Sequence, residues 1–207
     1  YYNSDYPGKD AYEVPIFETT ADLTHDGIAD LVSVVGYGSE PDEAVDDVVS
    51  NSSYGCYVKV YRGTKDGEYE SYPRFISRNF HLSHAGNGTI CLSKKDGLDY
   101  LLISTTYEMQ GTAQYDFAAF YVDDEKGIVI DDTYGVEFAV DKDEHQDWNE
   151  CIHREDVVPL LKEKMTPYLD DSTLLLSLDI DNGALYSCDG KTLEGNDFFD
   201  QIWERNY

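Results

Sequence analysis

Asp22-Leu23-Thr24-His25-Asp26-Gly27-Ile28-Ala29-Asp30 is the stretch whose residue types and spacing can do chemistry. Side-chain oxygens stand at its first, third, fifth and ninth positions, in Asp22, Thr24, Asp26 and Asp30. Gly27, at the sixth, permits a sharp turn, and Ile28, at the seventh, can turn its backbone carbonyl inward. A loop that offers oxygens from alternate positions is what Ca2+ takes, at about six to eight ligands. The pattern predicts one calcium site with ligands Asp22, Thr24, Asp26, Ile28 and Asp30. The twelfth position is Ser33 and not the bidentate Glu of an EF-hand, and an apolar strand follows rather than a helix. The same residues also suit an acidic turn closed by its own side-chain-to-backbone hydrogen bonds, and the sequence leaves both readings open. Calcium sites of the extracellular kind have a Kd of about 0.1–1 mM, which at about 2 mM free calcium adds roughly 0.6–1.8 kcal/mol of stability.

Other constellations are weaker. His81 and His84, with Cys151 and His153, have the types of a four-ligand zinc site, but nothing in the sequence brings the pairs together. Cys91 or Cys151 with a histidine would make a nucleophilic pair, equally without a signal that joins them. No Gly-x-Ser-x-Gly, no His-Glu-x-x-His and no phosphate-cradling Gly-rich loop occurs, so no catalytic residue is assigned. With 42 acidic residues, a pair of carboxylates at glycosidase spacing would arise on almost any fold and carries no information. Trp148, in a polar stretch, suits either a core anchor or an exposed sugar-stacking ring; Trp203, among Phe198, Phe199 and Ile202, reads as core.

The elements that must position these residues are mostly strands. Residues 1–20 read as an extended lead-in, 21–141 as an antiparallel β-meander and 142–207 as a mixed C-terminal part, all within one domain. Leu31–Val35 is the strand after the loop; the acidic run from Glu40 is a short helix or a surface loop. Val58 and Val60 share a face, Asp96-Gly97 makes a hairpin turn, and Tyr115–Val122, apolar on both faces, reads as an interior strand. Ile128–Ile130 and Val136–Val140 read as two further strands. Asp156 can cap a helix from Val157 that Pro167 should end or kink, Thr173–Leu178 is a strand, and a last helix starts near Asn196. The fold class expected is α+β, β-dominant: a propeller-blade-like antiparallel sheet with one or two C-terminal helices packed on it.

Composition bounds the function. The net charge of -27 and the pI of about 4.2 exclude nucleic acid and anionic membrane surfaces as partners. No stretch approaches the roughly 20 apolar residues of a membrane span, so this segment is not expected to insert. Eighteen tyrosines favour half-buried strands. The four cysteines, Cys56, Cys91, Cys151 and Cys188, allow three pairings if exported and otherwise serve as small apolar residues. A first residue other than Met is read as the mark of a removed signal or lipoprotein leader. The sequons at Asn51 and Asn87 matter only if the source glycosylates.

In its Asp-x-x-x-Asp-Gly-x-x-Asp pattern ahead of an apolar strand, the 22–30 loop resembles the calcium loop of FG-GAP and VCBS-type propeller repeats, and departs from it at Thr24. No second copy at a fixed period is present, so a whole propeller is not implied. A wider resemblance, through Gly55–Gly63, His84–Thr89, Asp99–Leu102 and Met109-Gln110-Gly111, is to exported proteins of Gram-positive gut bacteria. It implies a secreted or cell-surface, lipoprotein-anchored chain and no particular activity. The function expected is a non-enzymatic binding or structural module stabilised by calcium, with an extracellular carbohydrate or protein as ligand; the alternative is a secreted hydrolase acting on carbohydrate or peptide.

Overall fold

A computed structural model describes residues 12–38, 55–77, 82–83, 87–109, 111–140, 151–169, 172–179, 184–187 and 192–193. The strands are β1 (Tyr12–Ala21), β2 (Asp30–Gly38), β3 (Gly55–Tyr61), β4 (Phe75–Ile76), β5 (Leu82–Ser83), β6 (Asn87–Lys95), β7 (Leu98–Met109), β8 (Thr112–Asp123), β9 (Gly127–Ala139), β10 (Ser172–Asp179), β11 (Ala184–Ser187) and β12 (Thr192–Leu193). One helix, α1 (Arg154–Leu169), stands between β9 and β10. The chain is β-dominant α+β, with antiparallel sheets and a helix packed on them.

The expected meander is divided between two sheets. β1-β2-β3-β4, with β5 beside β3, make one; β11-β10-β6-β7-β8-β9, with β12 beside β10, make the other. Side-chain alternation explains the layering. Val32 and Val34 of β2, with Val58 and Val60 of β3, bury one face of the first sheet. They meet Leu101 and Ile103 of β7 and Ala118 and Phe120 of β8 in one core. The other face of β7 and β8 presents Leu102, Tyr115, Phe117 and Ala119 to Val157, Leu161, Met165 and Tyr168 of α1. β8 is therefore apolar on both faces because it lies between a sheet and a helix.

Several local expectations change. Residues 12–20, read as lead-in, form most of β1, paired along β2 from Tyr12↔Gly38 to Ala21↔Asp30. Asp96 and Gly97 both have positive φ, 54° and 80°, as a two-residue hairpin turn requires. The two strands expected across 128–140 are one, β9, interrupted by a bulge. Phe120 pairs with Ile130 and Ala119 with Asp132, leaving Asp131 as the extra residue. Two successive aspartates thereby reach the helix side, where Asp132 lies 3.4 Å from Lys164 Nζ and Asp131 meets Tyr168. α1 continues to Leu169 through Pro167, which sits in its last turn, where a lost amide bond costs least. Among the described residues no helix is long and apolar enough to cross a membrane. The acidic run 40–53, His81, His84, Trp148, Cys188, the 182–183 turn and the helix expected near Asn196 with Trp203 lie outside the described residues.

Candidate functional site

The 22–30 loop links β1 to β2 and folds back on itself through its aspartates. Asp22 accepts from the Asp26 amide at 3.1 Å and from the Gly27 amide at 2.9 Å, one on each carboxylate oxygen. Asp26 accepts from the Ile28 amide at 2.9 Å. Gly27 has φ 85°, so the residue expected to make the sharp turn does so. Asp30 is fully buried, at 0% exposure. Its Oδ2 accepts from the Thr24 amide at 2.9 Å and the Thr24 hydroxyl at 3.1 Å, and its Oδ1 from the Gly63 amide at 3.0 Å. All these donors are neutral. Burial accordingly pushes the Asp30 carboxyl above its ordinary value, against the pull of the Gly63 and Thr24 bonds.

Two successive residues after β3 hold this loop from outside. Gly63 comes so close that a Cβ on it would stand 2.1 Å from the Ala29 carbonyl oxygen. Arg62 reaches Asp26 at 3.0 Å with one guanidinium nitrogen, and the same nitrogen lies 2.8 Å from Asp124 in the β8–β9 turn. Burial alone would raise the Asp26 carboxyl, but the Arg62 hydrogen bond and charge and the Ile28 amide together hold it below its ordinary value.

The loop also wedges into the second sheet. The β7–β8 ladder runs only from Leu101↔Phe120 onward, and beyond it the Val122 amide donates to the Leu23 carbonyl at 2.9 Å. On the β7 side the Asp22 amide donates to Asp99 Oδ2 at 2.9 Å. His25 Nε2 lies 2.7 Å from the Asp99 carbonyl; a carbonyl only accepts, so Nε2 carries the proton. The imidazole stacks on Tyr121 at 4.6 Å and stands edge-on to Tyr100 at 5.3 Å. His25 achieves this at φ 56°, a left-handed backbone that a non-glycine residue adopts at a cost of about 1–2 kcal/mol. The loop is thus a joint between the two sheets.

Beside it lies a second polar cluster. Lys95 Nζ is 2.6 Å from Asp131 and 3.0 Å from the Tyr168 hydroxyl, which itself donates to Asp131. Burial pushes the Tyr168 hydroxyl up to about 12, with its bond to Asp131 adding to the effect. For Asp131, burial is outweighed by the bonds from Lys95 and Tyr168, and its carboxyl lies below the ordinary value. A phenol raised in this way is no nucleophile at neutral pH; the cluster fastens the end of α1 to the β9 bulge.

Calcium fits this loop in donor chemistry, oxygen only, in the curl that Asp22 and Gly27 impose, and in the guanidinium that already stands at Asp26 as a positive charge. Among the described residues no three His, Cys, Asp or Glu side chains converge as a metal-binding group. Asp22, Thr24, Asp26, Ile28 and Asp30 are held in one loop, yet Asp26 turns to Arg62 while Asp30 turns to Thr24 and Gly63. Arg62, Asp99 and Asp124 escaped the sequence reading because each comes from a distant part of the chain with no local pattern. Cys56 and Cys91 are buried, one in each core, and act there as small apolar residues. Comparison with known protein families, curated proteins and solved structures finds no match.

Proposed function

We propose that the chain is a non-enzymatic binding or structural module of a secreted or cell-surface protein, stabilised by one calcium ion held by Asp22, Thr24, Asp26, the Ile28 carbonyl and Asp30. The observation that carries this reading is Asp30, a fully buried carboxylate met only by neutral donors, in the same loop as Asp22 and Asp26. Around the loop five carboxylates, Asp22, Asp26, Asp30, Asp99 and Asp124, meet two cations, Arg62 and Lys94. A divalent ion would offset that surplus and tighten the joint to the second sheet. The binding role draws support from Tyr72, 82% exposed, and Tyr69, 41% exposed, between β3 and β4, whose rings could stack on a sugar or a protein side chain.

Thermal melting tests the calcium part. At about 2 mM calcium the added stability of roughly 0.6–1.8 kcal/mol corresponds to a rise of a few degrees for a chain of this size. Asp26→Ala should abolish the rise. A melting temperature that calcium leaves unchanged in the unsubstituted protein removes the metal from this account. A glycan and peptide array with Tyr72→Ala as control tests the binding part; hits that survive the substitution place the binding surface elsewhere.

A further inference from the structure

We infer that Arg62 is a built-in competitor of calcium, an internal cation that Asp26 must release before its carboxylate can turn to the ion. This rests on the calcium reading above. One guanidinium nitrogen lies 3.0 Å from Asp26 and 2.8 Å from Asp124, so Arg62 is shared between the loop and the β8–β9 turn. Asp124 gives it a place to stay when Asp26 leaves, and the side chain need not move far. Arg62, Asp26 and Asp124 are 27%, 25% and 42% exposed at their side chains, so the exchange is open to solvent and to ions. Gly63, next in sequence, keeps its amide on buried Asp30 throughout. One segment thus holds the loop at two points, one fixed by the backbone and one exchangeable. The guanidinium alone fastens a single carboxylate to the second sheet; calcium would gather the oxygens of the loop and leave Arg62 to Asp124. The affinity of the loop is thereby set low by a residue outside it.

The test is titration calorimetry with CaCl2 on the unsubstituted chain, Arg62→Gln and Asp124→Asn, with melting in chelator alongside. Arg62→Gln removes both the competing bond and a positive charge that repels the ion, and should bind calcium roughly three- to thirtyfold more tightly. In chelator it should melt below the unsubstituted chain, since the link to Asp124 is gone. Asp124→Asn, which leaves Arg62 wholly to Asp26, should bind calcium more weakly. Equal or weaker calcium binding by Arg62→Gln, with binding by the unsubstituted chain intact, overturns the inference and leaves the calcium reading standing. Absence of binding by every protein overturns both. Should Arg62→Gln not fold, a rise in affinity for Asp124→Asn is by itself enough to overturn the competition.

Discussion

Replacing Asp30 separates a buried carboxylate that organises the joint from one that is merely tolerated there. Its two oxygens accept two backbone amides, from Thr24 at 2.9 Å and Gly63 at 3.0 Å, and the Thr24 hydroxyl at 3.1 Å. Asp30→Ala leaves both amides without that acceptor. A buried donor left so costs about 1–3 kcal/mol, and loss of the desolvated charge returns part of this, so a net loss of about 3 kcal/mol is expected. Asp30→Asn keeps one oxygen, and the Thr24 hydroxyl can rotate to accept from the new amide. It therefore strands one backbone amide rather than two and should cost about half as much. Urea denaturation followed by far-ultraviolet circular dichroism at pH 7 in chelator reads both, with the slope against denaturant checked for constancy. Asp30→Ala within about 0.5 kcal/mol of the unsubstituted protein, or Asn as costly as Ala, would refute the reasoning.

Further outcomes follow from other contacts. Gly63→Ala should destabilise by about 2–3 kcal/mol, because the new Cβ meets a backbone oxygen at 2.1 Å that cannot move without dragging the loop. Gly27→Ala, at φ 85° with nothing within 4 Å, should cost only the left-handed backbone term of about 1–2 kcal/mol, and melting curves should rank the two in that order. His25→Ala should be less stable than His25→Gly by about 1 kcal/mol, because Ala loses the ring contacts and keeps the backbone cost while Gly removes it; the reverse order would mean that the backbone there relaxes freely. Asp131 has a lowered carboxyl, so its contribution is present in full above its ordinary value of 3.8 and is lost as pH falls through the lower folded value. Asp131→Asn should therefore cost about 1 kcal/mol in urea at pH 7 and nothing once the pH is below both values; a loss that persists at low pH would assign the effect to packing instead.

Alternation and turn chemistry made the larger part of the fold legible. Both faces of β8 are apolar in sequence and both are covered, by a sheet and by a helix. Asp96-Gly97 marked its hairpin because few other pairs accept two positive φ angles. The split into two sheets left no such mark, since periodicity says which residues share a face and not which faces meet. The bulge did leave one: Ile128-Val129-Ile130 alternates with neither Asp131 nor Asp132, and two aspartates in succession break the period of two. At the candidate site, Gly27 and the curl of Asp22 were readable from spacing alone. The partners that decide what the loop does, Arg62, Gly63, Asp99 and Val122, come from other strands and turns, and their approach is a property of the assembled sandwich.

The most direct measurement is hydrogen exchange at the Val122 amide, whose bond to the Leu23 carbonyl joins the loop to the second sheet. If calcium closes this joint, exchange there should slow by about 3- to 20-fold in about 2 mM calcium relative to chelator. An exchange rate at Val122 that is the same in calcium and in chelator would contradict the account.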